Sequence, residues 1–104
     1  MIIKNGVTVI DLDVSSIELE CSAYPTIYKF YDNAGQEYML RMRSNTLYLF
    51  TVKDNQLEKL IISGEFDSNE DKYYGITNMD EMYFWLLENE IVLNRYYKDI
   101  NVFD

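Results

Sequence analysis

The sequence has no histidine, one cysteine, one proline and four glycines among its 104 residues, and only nine basic side chains stand against 18 acidic ones. Each shortage excludes something. Without histidine, the usual general base, the commonest metal ligand and every Ser–His–Asp or Cys–His nucleophile set are absent. A lone cysteine forms no internal disulfide, which fits a reducing compartment. Cys21 falls on the apolar phase of its segment, between Glu20 and Ser22, and reads as a small core residue rather than a nucleophile. The glycines, Gly6, Gly35, Gly64 and Gly75, are isolated, so no phosphate-cradling loop is present. With Pro25 alone and no Gly/Ser cluster there is no linker, and a single domain over residues 1–104 is expected. No apolar run approaches the ~18 residues of a membrane helix. The opening residues lack a basic leader followed by an apolar stretch, so a cytoplasmic location is expected. The formal net charge of −9 disfavours direct nucleic-acid binding, because the chain repels phosphate.

What is present is apolar and aromatic. Hydrophobic residues make up 48% of the chain, with ten tyrosines, five phenylalanines and one tryptophan, too much for a disordered acidic segment. The hydrophobic period changes once, near residue 66. Before that point it is two. Asn5-Gly6 marks a tight hairpin between residues 1–4 and 7–10. Ile17, Leu19 and Cys21 alternate with Glu18, Glu20 and Ser22. Strands are then expected over 26–31, 36–43, 46–53 and 57–66, separated by turn residues about every ten positions, the spacing of a meander. Tyr38, Leu40 and Met42 share one face, and Leu60, Ile62 and Phe66 are expected to share the buried face of the last strand.

From Asn78 the period becomes helical. Asn78 with Glu81 three residues on forms a capping box, and Met79, Met82, Tyr83, Leu86 and Leu87 recur at three- and four-residue spacing. A helix over 79–88 follows, with Phe84 and Trp85 read as core. In the tail, Leu93, Tyr96, Tyr97 and Ile100 fit a helical stripe, giving a preferred second helix over 92–98; short strands at 91–93 and 101–103 are the other reading. The expected fold is α+β, an antiparallel β-meander of about five to six strands packed against one or two C-terminal helices. Residues 1–66 are mainly strands and 78–104 mainly helical.

Carboxylate pairs occur at Asp11/Asp13 and Glu18/Glu20, but opposite apolar residues they read as solvated, so no catalytic residue is assigned and the protein is expected not to be an enzyme. Segment 65–71 offers hard oxygen ligands, yet it lacks the alternating Asp/Asn spacing and mid-loop glycine of a calcium loop, so no metal and no cofactor is assigned. Arg41 and Arg43 share a strand face and, with Lys29 and Lys59 on neighbouring strands of the same orientation, would form a small positive patch; cross-strand pairing of these bases with Glu37 or Glu58 is the preferred reading.

The placement of charge is the most informative feature. Residues 1–64 hold eight acidic and six basic side chains, whereas residues 65–90 hold eight acidic ones against Lys72 alone. That window also carries tyrosines. Carboxylates beside exposed tyrosine suit a basic protein groove: tyrosine contributes contact area with little entropy lost, and dense carboxylates speed encounter and occupy phosphate sites. The expected partner-binding residues are Asp67, Glu70, Asp71, Tyr73 and Tyr74, followed by Asp80, Glu81, Glu88 and Glu90.

In size, charge and tyrosine content the whole chain resembles small bacterial toxin-immunity proteins and phage-encoded inhibitors of host defence; no shared motif assigns a role to any residue. The expectation is a non-catalytic acidic inhibitor, acting as a nucleic-acid mimic that blocks a basic partner such as a toxin nuclease or other nucleic-acid-binding enzyme. The competing readings are an oligomerising structural or adaptor domain, a homodimer included, and a small-molecule-binding domain with a pocket between sheet and helix.

Overall fold

A computed structural model describes residues 2–22, 25–65 and 78–96. Within them the elements run β1 (Ile2–Lys4), β2 (Val7–Ser22), β3 (Thr26–Asp32), β4 (Glu37–Arg43), β5 (Thr46–Lys53), β6 (Gln56–Glu65), α1 (Met79–Glu88) and β7 (Ile91–Asn94). The first six strands form an antiparallel meander in chain order, and the sheet curls into a half-barrel.

The turns explain the meander. Asn5–Gly6, Ser44–Asn45 and Asp54–Asn55 are two-residue hairpin loops in which all six residues have φ between 51° and 81°. Positive φ at both central positions matches the right-handed twist of the flanking strands, and Asn, Asp and Gly tolerate it best. The β3–β4 turn is built differently. Asp32 Oδ1 accepts the backbone N–H groups of Ala34 and Gln36, each at 2.9 Å, and its Oδ2 accepts the Tyr38 hydroxyl at 3.0 Å. These donors allow a carboxylate that is only 5% exposed.

The hairpin segment that starts at residue 7 and the alternating residues 17–22 are parts of one long β2. Its pairing with β3 shifts register between Asp13 and Glu18. There Asp13 Oδ1 accepts from the backbone N and Oγ of Ser15, and Ser16 Oγ accepts the Tyr31 N–H at 2.8 Å. Side chains thus replace ladder bonds at this irregularity. The first half of β2 pairs with β1 antiparallel and with β7 parallel.

One apolar face closes around the core. Phe30, Tyr38, Leu40, Met42, Leu47 and Leu49 line the concave side of the sheet, and Met82, Tyr83, Trp85 and Leu86 of α1 cover them. A ten-residue helix is marginal alone, so this burial, about 1.5–3 kcal/mol per large apolar side chain, is what holds α1. Its start matches the sequence reading: Glu81 N–H donates to Asn78 Oδ1 at 2.9 Å and Asn78 Nδ2 donates to Glu81 Oε1 at 3.1 Å.

Four expectations need correction. The second helix preferred over 92–98 is not formed in its described part: Ile91–Asn94 is β7, as the other reading of a short strand there had it, and α1 is the one helix among the described residues. Glu90 has φ 64°, which ends the helix, and β-branched Ile91 and Val92 favour an extended chain with Ile91 and Leu93 facing the core. Leu60 is not on the buried face. Ile62 pairs with Leu49 but Leu60 pairs with Phe50, so the intervening Ile61 is a bulge that turns Leu60 outward, 46% exposed. Cys21 is half-buried opposite Ile27 rather than in the core, after a further register shift in β2. Phe84 is also outside the core, at 53% exposure.

Candidate protein-binding site on the helix

Asp80, Phe84 and Glu88 are spaced four residues apart on α1 and therefore stack on one face, about 6 Å apart along the axis. Glu81 borders the same face. Asp80, Phe84 and Glu88 are exposed and Glu81 is half-buried. The aromatic ring is held by its neighbours. Tyr83 meets Phe84 edge-on at 5.7 Å, Tyr96 stacks on Tyr83 at 5.1 Å, and the Tyr96 hydroxyl donates to Asp80 Oδ1 at 2.5 Å. The chain of contacts runs from Phe84 through two tyrosines back to Asp80. It fixes an exposed aromatic side chain between carboxylates, the form of a preorganised interface anchor.

The end of the helix extends this acidic surface against the local preference of the backbone. The last turn holds no basic residue, although its free carbonyls favour a cation, and it carries Glu88 instead. Glu90 occupies the left-handed position after the helix with φ 64°, where glycine is the favoured residue. Its carbonyl accepts the Thr8 N–H at 2.9 Å, which locks this conformation to β2. Asp80 and Glu81, by contrast, sit at the positive end of the helix and stabilise it.

Of the residues expected to bind a partner, the structure brings Asp80, Glu81, Glu88 and Glu90 onto or beside the exposed side of α1. Asp67, Glu70, Asp71, Tyr73 and Tyr74 lie outside the described residues, as does most of the segment weighed for calcium. Phe84 was missed because an aromatic at helical spacing reads as core. A helical wheel at about 100° per residue would have found it, between Asp80 and Glu88 and opposite Met82 and Leu86.

The expected cross-strand pairing holds for Lys29, which meets Glu20 at 3.4 Å and Glu37 at 3.6 Å. It does not hold for Arg41, whose Nε is buried without an acceptor among the described residues.

Two open clefts flank the β3–β4 turn. One, of about 390 Å³, is lined by Asp32, Gln36, Tyr38 and Thr51; the other, of about 380 Å³, by Ile2, Val9, Asp11 and Asn33 among others. The fold uses several of their polar groups, whereas the Thr51 Oγ1 is buried without a hydrogen-bond partner among the described residues. Burial and the bond to Asp32 raise the Tyr38 hydroxyl above the ordinary tyrosine range. Asp11 accepts from Asn33 Nδ2 at 2.9 Å and Asn94 Nδ2 at 3.2 Å and lies 3.4 Å from Arg95 Nε, so it joins the β3–β4 turn to the end of β7. Among the described residues no group of three or more Cys, Asp or Glu side chains is placed to hold a metal ion, and no helix is long and apolar enough to cross a membrane.

The chain matches no protein-family model, no curated protein and no solved structure.

Proposed function

We propose that this protein is a non-catalytic acidic inhibitor of the immunity type. It binds a basic partner, a toxin nuclease or another nucleic-acid-binding enzyme, and covers the cleft that receives phosphate. The observation that carries this reading is the exposed Phe84 between Asp80 and Glu88, continued by Glu90 at a backbone position that favours glycine. Carboxylates kept where a cation and a glycine would stabilise the free protein support selection for something other than stability. In the partner, Phe84 enters an apolar recess and the carboxylates meet lysines and arginines around it. Asp67, Glu70, Asp71, Tyr73 and Tyr74 belong to the same acidic window, residues 65–90, and extend the contact.

The test is capture of partners on the immobilised protein, followed by a cleavage or nucleic-acid-binding assay of the captured protein with and without added chain. The expected result is stoichiometric inhibition that weakens as salt rises and is lost in Phe84→Ala. A captured partner whose activity is untouched by the chain, or inhibited equally by Phe84→Ala, contradicts the proposal.

A further inference from the structure

Among the described residues no element covers the convex face of the sheet, opposite α1. Along β4 this face reads Glu37, Met39, Arg41 and Arg43: an acid at one end, bases at the other, an apolar residue between. Register places Lys29, Phe50 and Leu60 in line with Met39 across four strands. Phe50 stacks on Tyr48 at 5.9 Å, and Leu60 and Leu57 are 46% and 48% exposed. Lys29 is neutralised by Glu20 and Glu37, but Arg41 has no ion-pair partner among the described residues and its Nε is buried without an acceptor.

We propose that this face is the interface of a symmetric homodimer. Two copies pack sheet to sheet about a two-fold axis that runs across the strands near Met39 and reverses β4 against its counterpart. The order along β4 is self-complementary under that operation. Arg41 of each copy faces Glu37 of the other, and Met39 and Phe50 meet their own counterparts at the centre. Charge also selects this face over the rest of the surface. Two chains of net charge −9 repel, so they join where bases offset acids, with the acidic helix faces pointing away from each other. The dimer therefore leaves α1 free and presents it twice. Four strands span roughly 19 Å of width, which puts the contact at the small end of specific interfaces, so association is weak and concentration-dependent.

Sedimentation velocity over a range from micromolar to near-millimolar protein tests this. The wild-type chain is expected to move from monomer to dimer as concentration rises. Arg41→Glu and Glu37→Arg each place like charges opposite one another and weaken dimerisation by roughly tenfold or more; the double variant Arg41→Glu/Glu37→Arg restores it. Leu60→Glu, at an exposed position that folding does not require, abolishes it without changing the far-UV circular dichroism. A wild-type monomer at the highest concentration, a dimer indifferent to Leu60→Glu, or a folded double variant that fails to recover overturns the proposal.

Discussion

Trp85 lies so close over Gly64 that a Cβ there would come within 3.0 Å of the indole Cζ2, and the same ring donates its N–H to the Glu65 carbonyl at 2.9 Å. This contact sets the height and rotation of α1 over the sheet. It also anchors the chain at Glu65, where the acidic window begins, as the Thr8 bond to the Glu90 carbonyl anchors it at the other end. The helix face is thus presented from a fixed scaffold, which lowers the ordering cost of binding.

Gly64→Ala is expected to destabilise the protein by about 1–3 kcal/mol, because the indole, 8% exposed and held by its hydrogen bond, has little room to retreat. Urea unfolding followed by the fluorescence of the single tryptophan measures this.

Glu88→Lys is expected to stabilise the free protein by about 0.3–1 kcal/mol, through the favourable interaction of a cation with the helix C-terminus. Glu90→Gly acts in the same direction by relieving the left-handed backbone. Both are expected to weaken partner binding. Thermal melting and inhibition assays on the same samples read the two effects, and their opposition is the signature of residues kept for function.

Asn78→Ala removes the helix cap and is expected to cost about 1 kcal/mol. Because α1 carries the proposed binding face, inhibition is expected to weaken only as far as folding does, and a melt at each condition separates the two.

Asp11 gives a pH dependence. The hydrogen bond from Asn33, together with Arg95 and Asn94, holds its carboxyl below the ordinary value of 3.8. A carboxylate depressed in the folded state contributes stability that is present above pH 3.8 and lost as pH falls through its folded value. Asp11→Asn is therefore expected to flatten the acid limb of the stability curve below that pH. The side chain is 46% exposed and screened by solvent, so the effect is small. Denaturant midpoints measured from neutral pH down to the acid transition test it.

Much of this fold was legible because its signals are local. The hairpins at Asn5–Gly6, Ser44–Asn45 and Asp54–Asn55 and the capping box at Asn78 and Glu81 are chemistry within a few residues. What was not legible depends on distant partners. The single unit of pattern at residues 91–93 fits a strand or a helix, and only its parallel pairing with Thr8, Val9 and Ile10 of β2 decides. The bulge at Ile61, which turns Leu60 outward, has no glycine or proline to announce it. At the candidate site the acidic residues were visible as a charge run. Phe84 was hidden because an aromatic beside the apolar stripe of α1 reads as part of it, whereas the helical angle puts it on the side away from Met82 and Leu86.

The proposed contact is between the acidic face of α1 and a cationic protein. Its most direct test is the association rate of the captured partner with the wild-type chain and with Asp80→Asn/Glu88→Gln/Glu90→Gln over a salt series. A steep fall of the wild-type rate with salt, and a slower, flatter dependence for the neutralised chain, is the predicted result. Superimposable rates and salt slopes for the two chains would contradict it.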